Sequence, residues 1–160
     1  MKPLIKGELS VGELSDPAFW LRIVLAVCCG FMIGLERQIR GKPVGIRTSI
    51  LICLGTALFV YLGLSVQDGT DVARVLGQLI TGVGFLGAGV IMNRGDVVSG
   101  VTSAAVVWLL AGIGAAIGLE HFAVALVISL VTLSILLGVE RLEEVYKELR
   151  TGVHRQKKEA

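Results

Sequence analysis

The chain has 160 residues, of which 54% are hydrophobic and 18% are charged, and its mean hydropathy is +0.79. A composition this apolar excludes an ordinary soluble domain, and the sequence shows neither the large basic surface nor the aromatic stacking residues that nucleic-acid binding requires. The charged residues are concentrated in short stretches between long apolar segments, which is typical of a protein that crosses a membrane several times.

Five apolar segments are long enough to cross a bilayer, which needs roughly 20 predominantly apolar residues per helix. They cover residues 18–35, 48–65, 75–92, 101–118 and 121–139. Backbone polar groups in lipid must be paired within their own segment, and the alternating polarity of a β-barrel is missing. The predicted fold is therefore all-α, a polytopic bundle of five transmembrane helices. The predicted domains are an extracytoplasmic N-terminal segment at 1–16, a transmembrane domain at 17–139 and a cytoplasmic tail at 140–160.

The first spanning helix is expected to be an uncleaved anchor, because charged residues occupy the region where a signal peptide needs an apolar stretch. Asp16 and Pro17 have the pattern of an N-cap followed by a first helical residue, and Gly41 and Pro43 mark a stop. The first helix is therefore expected to continue past the membrane surface to about Arg40.

Orientation follows from the basic residues, which are retained on the cytoplasmic side of a membrane. Eleven of the 15 lysines and arginines lie on the side that holds the first connection, the third connection and the C-terminal tail. The prediction is an N-terminus outside and a C-terminus in the cytoplasm. Arg22, near the opposite surface, is expected to extend toward the membrane interface.

The densest polar group surrounds the first connection, residues 34–50, with the sequence GLERQIRGKPVGIRTSI. Glu36 and Arg40 are four residues apart and can pair on one helix face, whereas Arg37 is expected to point elsewhere. Arg47 arrives from the start of the next helix, so several cations face one carboxylate. Two interpretations remain open, namely basic anchoring with one structural ion pair, or a functional site.

A second polar set lies on the third and fourth segments, at the level of the first connection. Together the two sets predict a shared polar pocket at the cytoplasmic mouth that binds a ligand or partner. The predicted members are Glu36, Arg37, Arg40, Arg47, Thr48, Gln78, Asn93, Thr102 and Ser103. The alternative is that the polar residues of the third and fourth segments only cap their helices.

Small residues recur at the spacing that lets membrane helices approach closely. The predicted packing positions are Gly30, Gly34, Gly82, Gly84, Gly87, Gly89, Gly112 and Ala116, with Gly114 and Gly118 as an alternative pair on the fourth segment. Three of these glycines match the letters of the dinucleotide-binding G-x-G-x-x-G pattern. That function is rejected, because neither the preceding strand nor the later carboxylate of a dinucleotide site is present.

Catalytic and metal-binding patterns are missing from the sequence. Cys28, Cys29 and Cys53 lie inside predicted helices and are interpreted as packing residues. His121 and His154 fall on opposite sides of the predicted membrane, and no Ser, His and Asp arrangement suggests nucleophilic catalysis. The prediction is therefore no enzymatic activity, no cofactor and no metal site.

The tail after the fifth segment carries apolar residues at helical spacing among charges, at Leu142, Val145, Tyr146 and Leu149. It is predicted to continue the fifth helix as an amphipathic stretch, followed by a basic end that contacts anionic lipid headgroups. The alternative use of the apolar stripe is to pair two protomers. A homodimer is the expected oligomer.

Three ordered motifs resemble the membrane domain of the MgtC/SapB family, over roughly residues 25–118. They read GLERQIRGKPVGIRTSILICLGTALF, GQLITGVGFLGAGVIM and GVTSAAVVWLLAGIGAAIG. The resemblance implies a five-helix bacterial inner-membrane protein linked to growth under magnesium limitation, virulence and the regulation of membrane energetics. It places the family's acidic and basic motif on Glu36, Arg37, Gly41, Gly45, Arg47 and Thr48.

This chain departs from the family pattern in two places. Many members have a basic residue where this chain has Ser99, which puts any anion contact there in doubt. Several members also continue into a soluble cytoplasmic domain, whereas this sequence ends at Ala160.

The predicted function is a regulator associated with magnesium homeostasis that acts through a membrane-protein partner or a small anionic ligand. The alternative is a dimeric ion or solute transporter with a path between helices 1 to 4. The cationic surroundings of Glu36 should repel a divalent ion, which disfavours a simple magnesium pore.

Overall fold

The computed structural model describes residues 15–65, 72–94 and 97–145. These residues form five helices and one short hairpin. The helices are α1 (Pro17–Ile39), α2 (Ile46–Ser65), α3 (Val72–Val90), α4 (Val101–Gly118) and α5 (Phe122–Val145), and the strands are β1 (Met92–Arg94) and β2 (Val97–Ser99). Each helix is long and apolar enough to cross a membrane, so the predicted five-helix transmembrane fold is confirmed.

α1 begins and ends where its local sequence predicts. The Asp16 side chain accepts a hydrogen bond from the backbone N–H of Ala18 at 2.9 Å, and Pro17 is the first helical residue. At the other end, Gly41 turns the chain with a φ of 61°. The side-chain oxygen of Gln38 then accepts a hydrogen bond from the backbone N–H of Ile46 at 3.2 Å, which connects the end of α1 to the start of α2.

α4 lies at the centre of the bundle. Half of its spanning residues (50%) are buried inside the protein, whereas only 11% of those of α3 are buried. Leu110 and Ile113 of α4 form one apolar core with Cys29 and Ile33 of α1 and Cys53 of α2. The interior of the described protomer is therefore filled by apolar side chains where α1, α2 and α4 meet.

Two glycines of α1 make the contact with α2 close. A Cβ atom at Gly30 would lie 2.7 Å from the Cα of Ile50, and one at Gly34 would lie 2.7 Å from the Cα of Ile46. Real Cβ atoms do not approach a backbone so closely, so only glycine allows this crossing. Both positions are among the predicted packing glycines.

The contact between α4 and α2 uses the alternative glycine pair. Gly114 faces the carbonyl oxygen of Cys53 with no room for a Cβ atom, and a Cβ at Gly118 would lie 2.8 Å from the carbonyl oxygen of Ala57. No described atom lies within 4 Å of a Cβ placed on Gly112. Of the two glycine pairs that the sequence offers on the fourth segment, the Gly114 and Gly118 pair therefore makes the close contact with α2.

Most of the predicted packing glycines of α3 have no close neighbour within the described protomer. No described atom lies within 4 Å of a Cβ placed on Gly82, Gly84 or Gly89. Gly87 alone among the predicted α3 glycines approaches a neighbour, with a Cβ position 3.6 Å from the carbonyl oxygen of Ala104 on α4. Most of the small-residue surface of α3 therefore faces outward from the described protomer.

A hairpin occupies the region where the third helix was expected to end. α3 stops at Val90, and β1 pairs antiparallel with β2, Asn93 lying opposite Val98. Gly100 is the N-cap of α4 and has a φ of 90°. A Cβ atom at this position would collide with the carbonyl group of Val90. The sequence predicted that Asn93 ends the third helix. Asn93 lies on a strand instead, so that prediction is wrong.

α5 continues to Val145, past the predicted end of the span at 139. This agrees with a helix that extends beyond the membrane. The remaining features of the tail, Tyr146, Leu149 and the basic end, lie outside the described residues, as do residues 1–14 of the N-terminal segment.

Candidate functional site

The carboxylate of Glu36, near the end of α1, is the centre of an ion-pair cluster. Its Oε1 accepts a hydrogen bond from Nη2 of Arg37 at 2.7 Å, and its Oε2 accepts one from Nε of Arg37 at 2.5 Å. Nε of Arg40 lies 3.1 Å from Oε1. The side chains of Glu36 and Arg37 are each only 5% exposed. The predicted pairing of Glu36 with Arg40 is therefore present.

The position of Arg37 corrects the sequence prediction. Adjacent residues on a helix point about 100° apart, which is why Arg37 was expected to face away. Both Glu36 and Arg37 nevertheless lie on the buried side of α1, and the long guanidinium side chain reaches back to its neighbour in a bidentate pair. A charged group that is removed from water needs such a partner.

The loop after this cluster holds its backbone in an uncommon conformation. Val44 has a φ of 68°, which is costly for a β-branched residue. Its carbonyl oxygen accepts a hydrogen bond from the hydroxyl of Ser49 at 3.3 Å, and Ser49 is buried. The first connection is therefore a packed turn between α1 and α2.

Most other members of the predicted pocket do not meet Glu36. Arg47 and Thr102 are exposed, Ser103 is buried, and no hydrogen bond or ion pair in the described part of the chain joins any of them to the Glu36 carboxylate. Asn93 is described only by its backbone, so the prediction for its side chain lies outside the described residues.

The structure divides the predicted polar pocket between two separate grooves. Thr48 and Gln78 line a groove of about 720 Å³ between α2 and α3, called here the α2/α3 groove. Glu36 and Arg40 lie in a groove of about 810 Å³ between α1 and α5, called here the α1/α5 groove, which Lys42 also lines. The prediction of one shared polar pocket at the cytoplasmic mouth was wrong, because the helices place these residues on different sides of the bundle.

A second buried cation lies at the other end of α1. The side chain of Arg22 is only 11% exposed, pairs with Glu120 and lies 5.0 Å from the ring centroid of Tyr61. Arg22 therefore packs against the bundle, whereas the sequence predicted that it extends to the interface. The sequence contained a signal for this pairing. Arg22 is a charged residue inside an apolar segment, and such a residue needs a partner in lipid.

Glu120 occupies the turn between α4 and α5 with a φ of 64°. This left-handed conformation favours glycine or asparagine, so glutamate is an uncommon choice there. Its pairing with Arg22 gives the side chain a role in joining the α4–α5 turn to α1. Among the described residues, no three His, Cys, Asp or Glu side chains are arranged to hold a metal ion.

The chain matches the model of the MgtC family over residues 23–145. It is 42% identical over 127 residues to the putative magnesium transporter YhiD of Escherichia coli strain K12, a match that covers 74% of this chain and 59% of that protein. It is 37% identical over 138 residues to protein SrpB of Synechococcus elongatus, covering 78% and 76% respectively.

Protein MgtC of Salmonella typhimurium strain LT2 is 39% identical over 113 residues, covering 71% of this chain and 48% of that protein. The chain thus spans about half to 60% of the length of the Salmonella and Escherichia coli relatives. No solved structure matches the chain.

Proposed function

Because the chain belongs to the MgtC family of multi-pass membrane proteins, we propose that it is a regulator connected with magnesium homeostasis that binds a helix of a membrane-protein partner. It acts without enzymatic chemistry, in the bacterial inner membrane, with its C-terminus in the cytoplasm. The name of one relative, the putative magnesium transporter YhiD, supports the connection with magnesium. The partner surface is the outward face of α3 with the adjoining α2/α3 groove.

The observation that carries this proposal is the set of unpartnered glycines on the exposed surface of α3. α3 is the least buried of the described helices, yet it carries the densest glycine pattern. Gly82, Gly84 and Gly89 have no described neighbour within 4 Å, and Phe85 beside them is 81% exposed. Lipid gives apolar helices no reason to associate, so a surface that permits close backbone approach favours a helix as its occupant.

The closed interior favours a regulator over a pore through the protomer. Ile33, Leu110 and Ile113 are at most 1% exposed and fill the space between α1, α2 and α4. The carboxylate of Glu36 is occupied by two guanidinium groups, which leaves it unsuited to a hydrated divalent cation. Conduction would therefore need a path outside this core.

One observation favours the second candidate, a dimeric transporter. The α2/α3 groove contains the polar residues Thr48, Thr56 and Gln78 along its apolar walls. A second protomer that covered this groove would enclose a polar path between two copies. The Escherichia coli relative is named as a putative magnesium transporter.

We expect Gly84→Leu to weaken partner binding without unfolding the protomer. A Cβ atom at this position has no described atom within 4 Å, so the free energy of unfolding should change by less than about 0.5 kcal/mol. A photo-crosslinking residue in place of Phe85 should form protein adducts in membranes, and Gly84→Leu should lower their yield about tenfold. The matched control is the same crosslinker at Val127, a 56% exposed residue of α5. Adducts only to lipid at position 85 would contradict the proposal.

We expect the purified protein in liposomes to move no magnesium above the protein-free background. The regulator proposal needs no path for ions, whereas the transporter does. Saturable flux that Gln78→Leu or Thr48→Val abolishes would overturn the regulator and establish the second candidate. Both residues are exposed, so these variants should keep the fold, and thermal unfolding in detergent checks that they do.

A further inference from the structure

The α1/α5 groove has an apolar floor and a charged end. Its walls include Phe31, Met32 and Leu35 of α1 and Leu133 and Leu137 of α5. Glu36, Arg40 and Lys42 close the end at the first connection. The proposed function does not use this groove, which shares no residue with the outward face of α3.

The groove has the length of one membrane leaflet. Its lining on α1 runs from Cys28 to Ile39, a rise of about 17 Å at 1.5 Å per residue. The hydrocarbon core of a bilayer is about 30 Å thick, so one leaflet is about 15 Å deep. The apolar part therefore matches one acyl chain that starts at the membrane surface.

The charged end carries more positive than negative groups. Arg37 engages both oxygens of Glu36, and Arg40 engages one of them, so a single carboxylate is shared between two guanidiniums. Lys42 is exposed and makes no ion pair within the described ranges. Its backbone N–H donates to the carbonyl oxygen of Arg37 at 2.9 Å, which holds Lys42 against the end of α1.

The walls favour a flexible chain over a second helix. None of the lining residues is glycine, and bulky side chains such as Phe31 and Met32 project from the walls. The closest helix contacts in membranes use small residues, whereas a flexible acyl chain adapts to an irregular wall. Charge and shape therefore point to the same occupant.

We propose that the α1/α5 groove binds an anionic phospholipid. The acyl chain lies along α1 and α5, and the headgroup phosphate is held at the cationic end by Lys42 and Arg40. One basic residue near an anionic membrane surface changes binding by about fivefold, so loss of both should change it by about 25-fold.

The test uses the full-length protein, delipidated in detergent and titrated with phosphatidylglycerol or phosphatidylcholine of identical acyl chains, with bound lipid counted by native mass spectrometry. Phosphatidylglycerol should bind more tightly, Lys42→Gln should lower its affinity about fivefold, and Leu133→Trp should reduce the binding of both lipids by filling the groove. Arg47→Gln, in the same connection but outside the groove, is the matched control and should leave the affinity unchanged.

Four results would overturn the proposal. The two lipids could bind equally, Arg47→Gln could weaken binding as much as Lys42→Gln, or glycerol phosphate could displace the lipid. The last result would assign the cationic end to a free anion, and a protein copy in place of lipid in the mass spectrum would assign the groove to an interface. None of these results affects the crosslinking experiment at Phe85 on α3. The lipid proposal and the proposed regulatory function can therefore fail independently.

Discussion

Gly114→Ala is expected to unfold the bundle at a markedly lower temperature than Gly112→Ala, although the two glycines lie on the same helix. A methyl group at position 114 meets the carbonyl oxygen of Cys53 and would lie 2.9 Å from the Cβ of Thr56. The backbone of α2 cannot yield easily, because α1 also packs closely against it at Gly30 and Gly34. Overpacking of this kind costs about 1–3 kcal/mol, and more where backbone must move.

The larger substitution Gly114→Val should prevent recovery of a monodisperse protein. A Cβ atom at Gly112 has no described atom within 4 Å, so Gly112→Ala and Gly112→Val should leave the protomer folded. Thermal unfolding in detergent with size-exclusion chromatography measures both pairs. Equal melting temperatures for the two alanine variants would show that α4 does not pack on α2 through Gly114.

Glu36→Gln is expected to cost about 3–5 kcal/mol of folding free energy, because it leaves the buried guanidinium of Arg37 without its carboxylate. The amide keeps the shape of the side chain and removes the charge that both Arg37 and Arg40 contact. The melting temperature in detergent is the measurement. Arg47→Gln is the control, since Arg47 is exposed and should change the free energy of unfolding by less than about 0.5 kcal/mol.

A double variant separates charge from packing. Replacing Glu36 and Arg37 together by leucine removes the buried pair and fills its space with apolar groups, a change that is often neutral. We expect it to recover most of the stability lost in Glu36→Gln. If Glu36→Gln is as stable as Arg47→Gln, the cluster is not the buried pair described above.

The sequence predicted the helices well because crossing a bilayer depends on length and composition along the chain. Five apolar segments, the N-cap at Asp16 and the stop at Gly41 were all visible in one dimension, and the structure has each of them. The hairpin of β1 and β2 was missed, because its six paired residues are too few to show a periodic pattern.

The candidate site was predicted in part. The spacing of Glu36 and Arg40 indicated their pairing, because residues four apart share a helix face whatever surrounds them. The bidentate contact of Arg37 depends on which side of α1 is buried, and no spacing rule contains that information. Thr48 and Gln78 were expected beside Glu36, but the rotation of α2 and α3 directs them to a different groove.

By itself, the sequence determined the class of protein, the number of spanning helices, the family resemblance and the presence of close-packing glycines. Those properties depend on composition and on order along the chain. Only the tertiary structure decided that Gly114 and Gly118 contact α2 closely, whereas Gly82, Gly84 and Gly112 make no close contact within the described protomer. A glycine permits close approach on any face of a helix, and the choice among faces depends on how each helix is rotated in the bundle.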